Sequence, residues 1–208
     1  IAYITGAGDD VPASLAQIGY TTDVIDIESL SASSLAKYQV VLLGIRAFNT
    51  VDALAYKNKI LFDWVKDGGT MIVQYNVSRG LVTEEIAPYL LTLSRDRITE
   101  ENAQVTMLSP DHEALNFPNK ITQDDFIGWV QERGLYFPNK WDDAFTPLLE
   151  MNDTGETPTK GALLVAPYGE GYYVYSGLSW FRHLPAGNTG PYRLLSNLIS
   201  LGYKKGKS

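Results

Sequence analysis

"MIVQYNVSRG" (Met71–Gly80) is the fourth apolar run of the chain, and it stops abruptly at a polar turn. An apolar run of this length reads as a buried strand, and strands buried on both faces belong to parallel sheets covered by helices. The turn that follows offers Gln74, Tyr75, Asn76 and Ser78, and no cysteine. Turns after such strands hold the nucleophile in many α/β enzymes. Three roles therefore compete for this turn: an active site, a binding site, or the remains of one.

Upstream of it, strand and helix alternate. "IAYIT" (Ile1–Thr5) is a predicted strand, followed by the turn "GAGDD". Asp10 is placed to cap a helix over Val11–Ile18, where Val11, Leu15 and Ile18 share a face and Gly19 ends it. "TTDVIDI" is a second strand, Ser31–Ala36 a short helix, and "YQVVLLGI" a central parallel strand. A helix capped by Asn49 or Thr50 is expected to run to Lys66, with Ala53, Tyr56, Ile60 and Trp64 at helical spacing and Leu61 and Val65 beside them. Gly68 and Gly69 end it, and the quoted run is the fourth strand. Such alternation implies a mostly parallel sheet, helices on both faces and right-handed crossovers: a three-layer α/β architecture.

Downstream the pattern changes. Residues 98–141 are polar, rich in turns and irregular, with "AQVTML" as a strand. "FTPLLEM", "GALLVAPYG" and "GYYVYSGL" read as strands, the last two as a hairpin turning near Gly169 and Gly171. The second half thus adds an antiparallel β extension. "GPYRLLSNLISLG" is a closing helix with Pro191 in its first turn, Leu194, Leu195, Leu198 and Leu201 facing the core, and Gly202 as its stop.

The chain has 208 residues, 45% of them hydrophobic and 12% aromatic, which suits one domain, 1–208, with a sizeable core. A net charge of −7 excludes the electrostatic footprint of a nucleic-acid binder. Lys204, Lys205 and Lys207 make a small basic end that reads as solvated. With no cysteine there is no disulfide, thiolate-bound zinc or thiol catalysis. No apolar run approaches the ~20 residues of a membrane span. Ile1 already lies within a strand-like run, so the chain is expected to be part of a longer one.

Three catalytic or cofactor motifs are incomplete. "TGAGDDVP" places Gly6 and Gly8 as a dinucleotide fingerprint would, but the sixth position is Val11, and Asp9 and Asp10 would repel a phosphate. "SPDHE" (Ser109–Glu113) resembles the metal signature of LmbE-type deacetylases, with Ser109 in place of its leading histidine and His112 in place of its second aspartate. Asp111 and His112, with Asp124 or Asp125, lack a supporting spacing, and a loop in which Asp111 caps a turn is the simpler reading. Ser78 with His183 as base would need glycine where Asn76 stands. No metal or cofactor is expected.

Strand ends are more informative, because open parallel sheets bind ligands outside their carboxyl ends. These ends bring Asp9, Arg46, Asn49, Tyr75, Asn76 and Arg79 towards one rim. Arg46 directly follows an apolar strand, where its charge needs a ligand or a salt bridge, to Asp9 or Glu132 for example. Farther on, Trp129, Tyr136, Trp180 and Phe181 beside Arg133 and Arg182 suit either a sugar site or a mini-core under the loops.

Several long segments resemble a known family: "VVLLGIRAFNT", "GGTMIVQYNVS", "WVQERGLYFPNKWDDAF", "GETPTKGALLVAPYGEGYYVYSGLSWFRHLPAG" and "PYRLLSNLISLG". They look like the C-terminal domain of large bacterial PIG-L/LmbE-type deacetylases. That domain is similar to the ThuA-like branch of the flavodoxin-like, class I glutamine amidotransferase-like fold. In true amidotransferases the fourth-strand turn carries a nucleophilic cysteine; here Tyr75 and Asn76 occupy it, so the resemblance implies a retained elbow without its chemistry. It also implies an accessory domain partnered by its own N-terminal deacetylase domain, in an exported protein, with a carbohydrate as possible ligand. Arg46, Asn49, Tyr75, Asn76 and Arg182 are the expected rim residues, with Glu132 and Arg133 beside them. The alternatives are a ThuA-like sugar enzyme using Asp124 or Glu132 as its acid near Tyr75, and a domain whose rim is filled by its own salt bridges.

Overall fold

The computed structural model describes residues 1–203, so the basic end at Lys204, Lys205 and Lys207 lies outside the described residues. Eleven strands are formed among these: β1 (Ala2–Ile4), β2 (Asp23–Val24), β3 (Val40–Leu43), β4 (Thr70–Gln74), β5 (Leu91–Ile98), β6 (Val105–Met107), β7 (Gly134–Trp141), β8 (Thr146–Pro147), β9 (Leu149–Met151), β10 (Leu163–Tyr168) and β11 (Gly171–Ser176). Seven of them make one sheet in the order β2-β1-β3-β4-β11-β10-β8. The first five are mutually parallel, and β10 and β8 add antiparallel pairings. With β11 as fifth member, the parallel part has the flavodoxin-like order.

The helices are α1 (Val11–Gln17), α2 (Ala32–Leu35), α3 (Ala47–Thr50), α4 (Leu54–Lys66), α5 (Trp180–His183) and α6 (Thr189–Ile199). Alternate strand residues point to opposite faces, so the sheet separates two cores. Tyr3, Leu42, Ile72 and Val174 face one core with Leu15 of α1 and Leu194, Leu195 and Leu198 of α6. Ile4, Val41, Leu43, Met71, Val73 and Tyr175 face the other with Leu54, Leu61, Phe62 and Val65 of α4. This is the three-layer arrangement that the strand–helix alternation implies.

Four local expectations are corrected. Asp10 makes no capping bond; the Asp9 carboxylate instead accepts from the Val11 amide at 3.0 Å. Asn49 and Thr50 do not start the long helix: they lie in α3, and α4 begins at Leu54 with no side-chain cap. Tyr56 is exposed and donates to the Glu28 carboxylate at 2.9 Å, while Leu54, Asn58, Leu61, Phe62 and Val65 form the buried stripe. In the "SPDHE" loop His112, rather than Asp111, caps a turn, its Nδ1 accepting from the Ala114 amide.

The largest departure is a long antiparallel ribbon in which β7 lies inside the region that reads as irregular and β5 runs up to its start, where the sequence reading places no strand. Its register shifts between Thr92 and Leu93, Leu93 and Asp96, and Asp96 and Ile98. Bulges of this kind destroy the period-two alternation by which a strand is recognised, and Pro138 within β7 removes a ladder donor.

Candidate functional site

The carboxyl ends of β1, β3, β4 and β11 converge on one side of the sheet, beside the ribbon and α5. Where the strand order reverses, between β1 and β3, the crevice is filled by the chain itself. Asp9 is the hub. Its Oδ1 accepts from the Tyr3 hydroxyl at 2.5 Å and from the Val11 amide, and its Oδ2 from the Ile45 amide at 3.0 Å and from Gln74 Nε2 at 3.4 Å. Burial pushes the Tyr3 phenol far up, and the neighbouring Asp9 charge adds to this, so the hydroxyl stays a donor. Gly44 is required there: a Cβ would lie 2.5 Å from the Tyr3 hydroxyl and 2.9 Å from the Gly6 nitrogen.

One strand over, the surface changes character. Arg46 follows β3 and caps α3 with left-handed backbone, φ 56°. Its amide donates to the Tyr75 carbonyl at 2.8 Å, which fixes the loop after β3 to the turn after β4. Its side chain is exposed and makes no ion pair or hydrogen bond with any described residue; the salt bridges to Asp9 or Glu132 are not formed. Neither Tyr75 nor Asn76 has positive φ, so the left-handed bend stands at Arg46 rather than at the amidotransferase nucleophile's place.

Asn76 is fully buried and bonded throughout. Its Oδ1 accepts from the Phe48 amide at 2.8 Å, its Nδ2 donates to the Gln74 carbonyl at 2.9 Å, and its own amide donates to the Tyr175 hydroxyl at 3.0 Å. Asn49 is similarly engaged, accepting from the Val77 amide and donating to the Val77 and Arg79 carbonyls. Arg133 is buried as well: its guanidinium bonds the Ala103 carbonyl at 2.7 Å and the Phe126 carbonyl at 2.5 Å and lies 5.1 Å from the Trp129 ring. Burial lowers its pKa to about 10, against the opposing pull of Glu101. These three side chains hold loops to one another.

Tyr75, Arg46, Glu132 and Arg182 come together. The Tyr75 ring stacks on Tyr136, with centroids 6.3 Å apart and planes at 10°, and meets Phe181 at 5.4 Å. Arg182 Nε donates to Glu132 Oε1 at 2.7 Å, Ser179 Oγ donates to the same oxygen at 3.0 Å, and the guanidinium carbon lies 4.8 Å from the Phe181 ring centre. The Tyr75 phenol is raised mainly by burial; Arg46 and Arg182 pull it down, and Glu132 and Tyr136 push it up. Tyr136 also has left-handed backbone, φ 51°. Among the described residues, two of the three non-glycine residues with positive φ therefore stand around Tyr75. Such strain, of order 1–3 kcal/mol per residue, gathers at functional sites.

The other aromatics split away. Trp129 and Trp180 are buried, and His183 packs on Trp129 with ring centres 4.4 Å apart. His183 is lowered to about 4, chiefly by burial and then by Arg133. Its Nδ1 accepts from the Val130 amide, and no hydrogen bond joins it to Ser78. Asp124 is exposed, and among carboxylates it is Glu132 that acts on Tyr75. Among the described residues no group of three histidines or acids is placed to hold a metal ion. None of the described helices is long and apolar enough to cross a membrane. The pairing of Tyr136 with Tyr75 was hidden in sequence because the two lie far apart along it.

The chain matches no protein-family model and no curated protein sequence. Solved structures do match. A Bacteroides uniformis protein described as ThuA-like superposes with a TM-score of 0.60 at 13% identity, over 99% of this chain and 91% of that one. The fold is that of ThuA-like proteins. A Thermoplasma acidophilum protein described as a GMP synthase subunit matches with a TM-score of 0.58 at 9% identity, over 97% of this chain and 93% of that one. A β-galactosidase from Bacillus circulans sp. alkalophilus matches with a TM-score of 0.58 at 13% identity, over 96% of this chain but 30% of the enzyme. The ThuA-like, amidotransferase-like fold is thus shared across nearly the whole chain, while the deacetylase link has no counterpart in these neighbours.

Proposed function

We propose that this ThuA-like domain is a non-catalytic, carbohydrate-binding module that serves a PIG-L/LmbE-type N-deacetylase as an accessory domain. The observation that carries the binding role is the Tyr75–Tyr136–Phe181 cluster flanked by the unpaired Arg46 and the Glu132–Arg182 pair. Sugar rings stack on aromatic faces, and guanidinium and carboxylate groups bond their hydroxyls. The accessory role rests on the sequence resemblance. It is supported by the β-galactosidase, in which the same fold makes up under a third of a longer chain.

The chemistry present favours holding over turnover. A glutaminase needs a thiolate, and the chain has no cysteine. Tyr75 is raised above the ordinary phenol value, so it remains a neutral hydroxyl at neutral pH and a poor nucleophile. Glu132, the one carboxylate acting on it, already accepts two bonds at a single oxygen.

The test is titration of the purified domain with neutral and charged mono- and oligosaccharides, followed by calorimetry or NMR. Binding that is lost in Tyr136→Ala and Phe181→Ala, with folding intact, is the expected result. Silence across the panel refutes the carbohydrate reading. Turnover of a sugar substrate that requires Tyr75 or Glu132 installs the acid–base enzyme in its place.

A further inference from the structure

The charges around Tyr75 bear on the kind of sugar that such a rim would hold. The charged side chains that act on its hydroxyl are Arg46, Glu132 and Arg182, two cations against one carboxylate. The chain as a whole carries −7. Around the Tyr75 hydroxyl, on an acidic protein, cations thus outnumber carboxylates, the next acid of the rim, Asp9, being bonded inward to four donors; a local charge opposite in sign to the surrounding field is what selects a charged ligand.

The two arginines are not equivalent. Arg182 has its Nε bonded to Glu132 Oε1 and its guanidinium laid against Phe181, which fixes its plane and satisfies one of its donors. Arg46 has no such restraint: none of its side-chain donors is used by a described residue, and the two carboxylates in reach of its loop are both engaged elsewhere. Asp9 turns inward to Tyr3, Val11, Ile45 and Gln74. Glu132 turns to Arg182 and Ser179. A planar fork of free N–H groups matches a carboxylate in two-point geometry. The strained backbone adds an independent indication. A left-handed position after a strand is filled most cheaply by glycine or asparagine, yet here it carries arginine. The bulky side chain stands where the backbone disfavours it, and its charge is left unanswered by the fold.

We propose that the rim selects an acidic saccharide, a uronate or an equivalent carboxylate-bearing sugar, with its ring on Tyr136 and Phe181 and its carboxylate on Arg46. This rests on the carbohydrate reading and narrows it. It also sets a direction: sugars with a free amine are disfavoured, because a cation would be brought against Arg46 and Arg182.

The two readings fail separately when one ring is offered in three forms: glucose, glucuronate and glucosamine, each as the methyl glycoside, titrated into the same domain at low and at moderate salt. The expected order is glucuronate first, tighter than glucose by on the order of tenfold, as one charge-assisted, two-point bond supplies. Glucosamine comes last, and the glucuronate preference shrinks as salt rises. In Arg46→Gln the ratio of glucuronate to glucose affinity collapses towards unity, whatever the change in overall affinity. Equal affinity for glucose and glucuronate overturns the acidic-sugar inference and leaves the carbohydrate reading standing. So does a glucuronate preference unchanged by Arg46→Gln. No binding of any of the three overturns both. Arg46 is exposed, so loss of fold is not expected in the variant, and its circular dichroism and melting temperature check this directly.

Discussion

Replacing Asn76 by alanine separates scaffold from ligand contact at the turn after β4. The side chain makes two hydrogen bonds inside the protein, from the Phe48 amide and to the Gln74 carbonyl, and it is wholly buried. Each such bond contributes about 1 kcal/mol net, and leaving a buried amide without a partner costs about 1–3 kcal/mol more. Phe48 is itself fully buried, so water cannot readily take over its amide. The sum is a loss of about 3 kcal/mol, which for a domain of this size lowers the melting temperature by roughly 6–12 °C. Urea unfolding followed by tryptophan fluorescence reads it as a shifted midpoint with an unchanged slope. Asn76→Asp is the informative companion, because it keeps an acceptor for Phe48 but turns a carboxylate oxygen towards the Gln74 carbonyl; it is expected to be no more stable than the alanine variant at pH 7. An Asn76→Ala protein within about 1 kcal/mol of wild type refutes the argument. If that protein also fails to bind sugar, Asn76 belongs to the ligand contacts after all.

Arg133→Met is expected to destabilise by about 2–4 kcal/mol, since it strips the Ala103 and Phe126 carbonyls of a buried donor; chemical denaturation checks it, and a neutral outcome would mean that those loops find other partners. His183 is depressed to about 4 in the folded protein, below its unfolded value. Its contribution is therefore complete above about pH 6.5 and is lost as pH falls towards 4. Stability measured from pH 7 to 4.5 should decline more steeply in wild type than in His183→Gln, and parallel slopes would contradict the assignment. Gly190→Ala drives a Cβ into the Asp125 carbonyl oxygen and places it 2.6 Å from the Asp125 Cα, backbone that has no room to yield. A loss of about 2 kcal/mol or more is expected, read as a lower melting temperature, and an unaffected variant would mean that α6 shifts freely.

The parallel half of the fold was legible because its strands carry the simplest signal, apolar on both faces and separated by helices. Val40–Leu43 and Thr70–Gln74 are buried at every position, and β4 starts directly after Gly69, where the sequence puts it. The ribbon of β5 and β7 was not legible, because Arg95, Asp96 and Arg97 interrupt β5 and the bulges shift which residues face inward. Of the site, the sequence could place strand-end residues on one rim but could not say which of them the fold uses up. Asn76 and Arg46 look alike as polar residues after a strand. One side chain is locked into the interior and the other is bonded to nothing around it, a difference set by the Phe48 amide, 28 residues away in sequence, which donates to the Asn76 side chain. The aromatic set divided for a similar reason. Trp180 and Phe181 are neighbours, but consecutive residues of a short helix point in different directions, so one enters the core and the other meets Tyr75.

The two border strands of the large sheet, β2 and β8, are each only two residues long, and β8 ends in Pro147, which has no amide to offer. A neighbouring molecule seeking to lengthen the sheet thus finds almost no open ladder on either flank. Edge-to-edge growth of the large sheet from one copy of the domain to the next is accordingly disfavoured.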